Sequence, residues 1–271
     1  MLMNTDEWTT VSWDISGPVA TLTLRRPERL NAYTPAMCHE LVAATRHYLD
    51  DDDLRALVVT GEGRGFCAGG DVAGDQADIA AAVARPLGRA RELRDDMQAV
   101  VSALWSCDKP VVAAVNGVAV SGGLALALAC DLRIAAASAR LGDTSGRVGL
   151  LPDEGGAWLF PRFMGRDHAF RMVALAELYD AEQAQSLGLI TEVVPDHALL
   201  DRAQEVAAAL ASRSPIAVRM AKTLLRQGAE STLEHAMLAA QSAVMWVNAG
   251  ADAQEGLQAF REKRAPSFDG R

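Results

Sequence analysis

Short apolar runs recur along the first two thirds of the chain, and their pattern predicts β-strands. Residues 11–16 and 19–24 alternate between apolar and polar positions around Gly17 and Pro18, which predicts a hairpin. The run 111–115 contains no polar residue, as is typical of a strand covered on both faces. Further strands are predicted at 54–60, 132–137 and 191–194.

Helical patterns lie between these runs and dominate after residue 152. Thr34 followed by Pro35 predicts the start of a helix that continues to about Asp50. The alanine-rich segment 72–105 is mostly helical in pattern and is interpreted as a lid or pocket wall. Further helices are predicted at 121–130, 156–163, 167–178, 181–187, 197–212, 215–227, 232–249 and 252–263.

The order of strand, helix and strand predicts an α/β fold built from βαβ-type units. We expect a core over residues 1–195 and a purely helical region over 196–271. Because no Gly/Ser-rich or Pro-rich linker separates the two, the helical region is interpreted as a packing or oligomerisation element.

Composition narrows the classes of function. The 271-residue chain has a formal net charge of −9, which argues against nucleic acid as its main partner. Its cysteines form neither a C-x-x-C motif nor a zinc-type spacing with histidines, so we expect no metal site and a reducing compartment. The sequence starts without a signal-peptide pattern, and its longest apolar run, 124–130, is too short to cross a bilayer. We therefore expect a cytoplasmic protein without a membrane partner.

Two glycine-bearing stretches, 63–71 and 116–123, each follow an apolar run of the β type. Small residues allow a backbone to come close to a ligand. Two backbone N–H groups, one from each stretch, could converge on a single oxygen, and this is the arrangement of an oxyanion hole.

From about residue 8 to its end, the chain resembles the enoyl-CoA hydratase/isomerase (crotonase) superfamily. The resemblance rests on six motifs in order: LRRPERLNA at 24–32, GFCAGGD at 65–71, KPVVAAVNG at 109–117, GLLPDEGG at 149–156, AQSLGLI at 184–190 and FREKR at 260–264.

The resemblance implies a spiral of ββα units with a helical C-terminal trimerisation region, in a trimer or a dimer of trimers. It implies an acyl-CoA thioester as substrate, with coenzyme A entering as part of that substrate and no separate cofactor. By position, it implies that the N–H groups of Ala68 and Gly122 hold the thioester carbonyl. Such donors stabilise the charge of an enolate.

The residues that carry proton transfer depart from the hydratase pattern. The two glutamates of family hydratases fall at Ala125 and Ser145, which cannot exchange protons with water at neutral pH. In isomerase branches a carboxylate at the position of Asp153 moves a proton along the acyl chain. We therefore expect double-bond isomerisation with Asp153 as proton shuttle, with Glu154 and then Asp143 as substitute candidates. The alternative role of Asp153 is an N-cap of the following helix.

The residues expected to contact the coenzyme A moiety lie in three segments: Arg26, Arg29, Ala68, Gly70, Asp71, Phe260 and Lys263. By resemblance, Phe260 and Lys263 reach the nucleotide of a neighbouring subunit. Solvated loops and an ordinary helix end are the alternatives for the basic residues and for Phe260. Asp71 is alternatively a cap or an ion-pair partner, and Cys67 is interpreted as a packed thiol.

Other functions stay open at this stage. Hydration through Asp153 or Glu154 is the second choice, followed by acyl-CoA binding with little catalysis. A serine hydrolase using Ser121 and His235 is disfavoured, because five residues separate the strand end at Val115 from Ser121. A nucleotide site over 61–70 lacks the G-x-G-x-x-G spacing.

Overall fold

Ten β-strands in the described part of the chain form two sheets, and eleven α-helices surround them. The computed structural model describes residues 7–71 and 87–270. The strands are β1 Val11–Ser16, β2 Val19–Leu24, β3 Ala56–Gly61, β4 Gly65–Cys67, β5 Val111–Val115, β6 Val118–Val120, β7 Leu132–Ala136, β8 Arg140–Gly142, β9 Leu178–Asp180 and β10 Glu192–Val194. The helices are α1 Pro35–Asp50, α2 Gly88–Asp95, α3 Met97–Ser106, α4 Gly122–Ala129, α5 Gly156–Met164, α6 Arg166–Leu175, α7 Ala181–Ser186, α8 Leu199–Ala211, α9 Pro215–Gly228, α10 Leu233–Ala249 and α11 Ala251–Glu262.

The larger sheet has the strand order β1-β2-β3-β5-β7-β10. Its first two strands form the antiparallel hairpin that the sequence predicts, with Val11 opposite Leu24 and Ser16 opposite Val19. The remaining neighbours are parallel. Every residue of β3 and β5 is buried, which confirms the prediction that 111–115 is covered on both faces.

The smaller sheet has the order β4-β6-β8-β9 and explains the path of the chain. The strand pairs β3 and β4, β5 and β6, and β7 and β8 each place one strand in the larger sheet and the next in the smaller one. Helices follow each pair, so the chain winds as successive ββα turns. The predicted α/β spiral of ββα units is confirmed, although the four short strands of the smaller sheet were not predicted.

Most helix predictions are confirmed within a few residues. Helix α1 starts directly after Thr34, whose side-chain oxygen accepts a hydrogen bond from the N–H of Met37 at 3.3 Å. Of the predicted helical segment 72–105, residues 72–86 lie outside the described residues, and the rest forms α2 and α3. The predicted helix 167–178 ends early, because Leu178 belongs to β9.

The C-terminal region divides into a helix that covers the core and three more exposed helices. Helix α8 packs its alanine face against the outer side of the larger sheet, where Leu199 and Ala207 meet Val58 and Val112. Helices α9 and α10 contain no buried residue. The boundary at residue 195 stays a prediction. In the described residues, no helix combines the length and apolar character needed to cross a membrane.

Candidate active site

The first glycine loop follows β4, and its Ala68 is tied back to the segment before α1. The backbone N–H of Ala68 donates to the carbonyl oxygen of Leu30 at 3.0 Å. Because this donor already has an acceptor inside the fold, it is not free to bind a substrate oxygen. The expectation that Ala68 supplies an oxyanion donor is therefore corrected: its amide faces the protein.

The backbone N–H of Gly70, unlike that of Ala68, points away from the segment before α1. It forms a parallel bridge with Tyr33, in which the N–H of Tyr33 donates to the carbonyl of Gly69 (2.8 Å) and the N–H of Asp71 donates to the carbonyl of Tyr33 (3.0 Å). In such a bridge the flanking residues make the hydrogen bonds, and the N–H of the bridging residue points away from its partner. The amide of Gly70 thus points to the side on which β6 borders β4.

The side chain of Asn31 fixes the first glycine loop by hydrogen bonds to its backbone and to the segment before α1. Its buried side chain accepts a hydrogen bond from the N–H of Arg26 (2.8 Å) and donates to the carbonyls of Glu62 (2.9 Å) and Gly65 (2.7 Å). Asn31 itself adopts a positive φ of 55°, a conformation that asparagine tolerates better than most residues. One side chain therefore fixes the segment before α1 against the start of the glycine loop.

The second glycine loop connects β6 to α4 and supplies a second free amide. The first hydrogen bond within α4 runs from the N–H of Ala125 to the carbonyl of Ser121 at 3.0 Å. The N–H of Gly122 lies in the turn before it, where amides have no acceptor within the helix. The positive end of the helix dipole adds to the attraction for a developing negative charge.

The two glycine loops touch, which brings Gly69 of the first loop close to Gly122 of the second. A Cβ atom at Gly123 would overlap the carbonyl of Cys67, and a Cβ atom at Gly69 would lie 3.8 Å from the nitrogen of Gly122. Only glycine permits this approach. Gly70 and Gly122 are the residues whose N–H groups can meet at one oxygen.

Tyr33 is a site residue that the sequence analysis missed. A Cβ atom at Gly70 would lie 3.3 Å from its hydroxyl oxygen, and a Cβ atom at Gly122 would lie 2.6 Å from its ring and 3.2 Å from the hydroxyl. Its ring thus lies against both glycines. The hydroxyl donates to Oε1 of Glu154 at 3.1 Å, and burial together with that carboxyl raises the pKa of the phenol. Its place directly before the helix cap Thr34 is the only sequence signal, and it is a weak one.

Glu154 brings a buried carboxyl to the same point. Its side chain is 6% exposed, and Oε1 would lie 3.0 Å from a Cβ atom at Gly122. Burial, with a smaller contribution from the charge of Asp153, raises the pKa of Glu154 to about 7. The second oxygen, Oε2, is buried without a hydrogen-bond partner among the described residues. A carboxyl of this kind can both accept and donate a proton near neutral pH.

Asp153 lies next to Glu154 and is half-buried. Its backbone is held on both sides: its N–H donates to the carbonyl of Leu151 (2.8 Å), and its carbonyl accepts from the side chain of Gln98 (2.8 Å). The N-cap of α5 is Gly155, with no side-chain cap, so the alternative role of Asp153 as a helix cap is wrong. The carboxyl is close enough to raise the pKa of Glu154 by charge repulsion.

A third acid, Asp143, belongs to a hydroxyl cluster behind the second loop. It is fully buried, and burial raises its pKa. It accepts a hydrogen bond from the N–H of Ser145 (2.8 Å), and the hydroxyl of Ser145 donates to that of Ser121 (3.1 Å). Because β6 ends at Val120, Ser121 follows a strand directly, and the expected separation of five residues from a strand end is wrong.

A serine hydrolase is nevertheless not supported. Among the described residues, the partners of the Ser121 hydroxyl are Thr144 and Ser145. His235 is exposed in the first turn of α10, and no hydrogen bond links it to that hydroxyl.

Ala125 and Ser145 are buried in the positions that the hydratase pattern reserves for glutamate.

The residues expected to bind coenzyme A lie partly around the first glycine loop and partly at the end of α11. The guanidinium of Arg26 pairs with the carboxylate of Asp71 at 2.8 Å, which confirms the ion-pair interpretation of Asp71. Arg29 is exposed in the short 3-10 turn Pro27–Arg29. Phe260, which is 84% exposed, and Lys263 lie at the end of α11, and their contact with a neighbouring subunit stays a prediction.

Cys67 is buried, and burial raises the pKa of its thiol to about 12, so it is a neutral, packed side chain. Within residues 7–71 and 87–270, there is no group of three or more His, Cys, Asp or Glu side chains that could hold a metal ion.

The chain is similar to known proteins over nearly its whole length. The family model described as "Enoyl-CoA hydratase/isomerase" matches residues 14–271. The chain is 41% identical over 263 residues to the "Probable enoyl-CoA hydratase" of Rhodobacter capsulatus, covering 97% of this chain and 98% of that protein. It is 38% identical over 257 residues to the 1,2-epoxyphenylacetyl-CoA isomerase of Escherichia coli, covering 93% and 95%. The crystal structure of an enoyl-CoA hydratase from Bacillus anthracis superimposes with a TM-score of 0.90 at 32% identity, covering 97% and 100%.

Proposed function

The chain belongs to the enoyl-CoA hydratase/isomerase family, whose members act on acyl-CoA thioesters, and we propose that its reaction is the shift of a double bond in an unsaturated acyl-CoA. One observation carries the proposal: the buried carboxyl of Glu154, next to Asp153 in the sequence, lies against Gly122. The positions that the hydratase pattern gives to glutamate hold Ala125 and Ser145 instead.

The N–H groups of Gly70 and Gly122 bind the thioester carbonyl. When a proton leaves the neighbouring carbon, negative charge moves to that oxygen, and both amides are directed at it before the reaction starts. One donor of this kind contributes about 3–4 kcal/mol to the transition state. The bridge to Tyr33 supports the assignment to Gly70, because it turns this amide away from the backbone of Tyr33.

Proton transfer then needs one carboxylate. Asp153 takes a proton from the carbon beside the thioester carbonyl, giving a dienolate, and returns it two carbons further along the chain. Product and substrate have the same atoms and the same number of electrons, so the reaction consumes no oxidant or reductant. Glu154 is the second acid at the site, and its raised pKa keeps part of it protonated at neutral pH.

Hydration of a 2-enoyl-CoA is the second candidate, and one observation favours it. Asp153 and Glu154 have different surroundings, one half-buried and the other buried with a raised pKa. Two acids that differ in this way can act as base and acid in the addition of water. Hydration would leave a hydroxyl in the product, whereas isomerisation adds no atom.

The test is a panel of 2-enoyl-CoA and 3-enoyl-CoA substrates, including a ring-bearing acyl group, with product identification by mass spectrometry. In ordinary water we expect 3-enoyl substrates to give 2-enoyl products of unchanged mass. When the reaction is run in D2O, we expect deuterium to enter the acyl chain. A mass increase of one water would favour hydration. Binding of the thioesters without turnover would indicate that the protein binds acyl-CoA but does not convert it.

The variant Asp153→Asn tests the proton shuttle. A positioned acid–base group contributes about 100- to 10,000-fold, so we expect kcat to fall by that order while acyl-CoA binding, measured by calorimetry, stays nearly intact. Asp167→Asn, an exposed aspartate at the start of α6, is the matched control and keeps full turnover. Full turnover in Asp153→Asn together with its loss in Glu154→Gln would move the shuttle to Glu154.

A further inference from the structure

Tyr33 connects the separate parts of the site through both its backbone and its side chain. Its backbone N–H and carbonyl are hydrogen-bonded to Gly69 and Asp71 in the first glycine loop. Its hydroxyl reaches a residue 121 positions away in the sequence, donating to Glu154 at 3.1 Å. Tyr33 therefore links the first glycine loop to the carboxyl of Glu154.

The ring of Tyr33 leaves that carboxyl little choice of position. It packs against Gly70 and Gly122 so closely that a Cβ atom at Gly122 would be 2.6 Å from a ring carbon. Oε1 of Glu154 lies on the same side of Gly122 and accepts the phenol hydrogen, while Oε2 has no partner among the described residues. One oxygen is fixed by the protein, and the other is buried without a hydrogen-bond partner among the described residues.

The groups that face Glu154 act on its charge in opposite directions. Asp153 and Asp143 oppose ionisation by charge repulsion, and the buried thiol of Cys67 is a further titratable neighbour. The Tyr33 hydroxyl favours the ionised form, as does the backbone N–H of Glu154 itself. Of these groups, Tyr33 is the one side chain that donates a hydrogen bond to the carboxylate.

We propose that Tyr33 is a positioning residue, which holds the carboxyl of Glu154 beside Gly122 and sets the pH at which this carboxyl exchanges its proton. The hydrogen bond stands on the geometry alone. The participation of Glu154 in proton transfer rests on the proposed function, in which Glu154 is the second acid beside Asp153 and the substitute for it as proton shuttle.

The substitution Tyr33→Phe removes only the hydroxyl that donates to Glu154. Phenylalanine keeps the ring against Gly70 and Gly122 but leaves Oε1 without its donor. Loss of a hydrogen bond to the ionised form raises a carboxyl pKa. We expect the titration of Glu154 in Tyr33→Phe to move up by about one pH unit.

The first measurement is an NMR titration of the carboxyl carbon of Glu154 in the ligand-free protein, assigned through Glu154→Gln. The chain offers a matched control in Tyr179→Phe, because the Tyr179 hydroxyl also donates to a glutamate, Glu177, at 3.0 Å, but on the edge strand β9. We expect the Glu154 titration to move in Tyr33→Phe and to stay in place in Tyr179→Phe. An unmoved titration in Tyr33→Phe, or an equal move in both variants, overturns the proposal.

A second measurement needs no substitution at Tyr33. In protein labelled with 3-fluorotyrosine, the fluorine signal of Tyr33 should follow the titration of Glu154 and lose this response in Glu154→Gln. The signal of Tyr179 should show no such dependence. A Tyr33 signal that is indifferent to Glu154 overturns the proposal even if Tyr33→Phe fails to fold.

Kinetics separate this proposal from the proposed function. With any enoyl-CoA that the protein converts, Tyr33→Phe should move one limb of the pH profile of kcat upward and lower kcat by about tenfold, with KM little changed. A shifted NMR titration with an unmoved pH profile overturns the catalytic part. If the unaltered protein converts none of the thioesters, the proposed function fails, and the NMR and fluorine measurements still decide the position of Glu154.

Discussion

The carboxyl of Glu154 lies where its charge is disfavoured, and this links site chemistry to stability. Burial raises its pKa from 4.5 to about 7 in the folded chain. Between these two values the folded state binds a proton more tightly than the unfolded state. The free energy of unfolding therefore loses a contribution as pH rises through this window, and the contribution is fully present below it.

Glu154→Gln should remove this dependence, since glutamine stays neutral. Relative to the unaltered protein, we expect the variant to gain up to about 3 kcal/mol in free energy of unfolding between pH 4.5 and pH 8. Urea unfolding at both pH values measures the difference. Glu182→Gln, on the exposed face of α7, is the control and should show no gain. Equal differences at both pH values would contradict the raised pKa.

The sequence could predict which stretches form the site but not which atoms face it. The glycine spacing located both loops, whereas the choice between the amides of Ala68 and Gly70 depends on pairing with Leu30 and Tyr33, more than thirty residues earlier. The contact between Tyr33 and Glu154 is likewise created by tertiary packing. A single sequence carries no local sign of such contacts.

Elements with a clear period were predictable, and very short ones were not. The hairpin of β1 and β2 and the helix after Thr34 have strong local signals, namely alternation, a turn and a capping residue followed by proline. The strands of the smaller sheet have three residues each, too few to show a period. Their pairing with neighbours, fixed by the fold, makes them strands.

Helix α9 is held to the core by polar contacts, among them those of Lys222 and the ion pair between Arg219 and Asp108 at 2.7 Å. Nζ of Lys222 lies 2.6 Å from a carboxylate oxygen of Asp131 and donates to the carbonyl of Lys109 at 2.8 Å. The lysine side chain is only 9% exposed. The same oxygen of Asp131 also accepts from the N–H of Val111, so loss of the lysine leaves it one partner.

We expect Lys222→Met to lower the free energy of unfolding by about 1–3 kcal/mol, because two hydrogen bonds of a charged group are lost. Urea unfolding measures the change, and limited proteolysis should show earlier cleavage around α9. The control is Glu205→Gln, which removes an exposed ion pair with Arg202 and should cost less than about 1 kcal/mol. Equal losses in both variants would show that Lys222 is no special anchor.

At the scale of the whole molecule, the last helices carry apolar side chains that the single chain leaves in contact with water. Trp246 is 72% exposed, and Met245 and Leu238 on the same helix are also largely exposed. Contiguous exposed apolar surface of this kind marks interaction sites. The resemblance implies that this surface is covered in a trimer or a dimer of trimers.

Trp246→Glu tests whether α10 lies at such an interface. A charge buried there would have to lose its water without a partner, so we expect the sedimentation mass to fall from that of an oligomer towards that of one chain. Ile15→Glu, on the edge strand β1 and also exposed, introduces the same charge away from α10 and should leave the mass unchanged. If Phe260 and Lys263 reach a neighbouring subunit's nucleotide, dissociation should weaken acyl-CoA binding as well. An unaltered protein that sediments as a single chain would contradict the oligomer, and retained binding in a dissociated Trp246→Glu would place the nucleotide within one subunit.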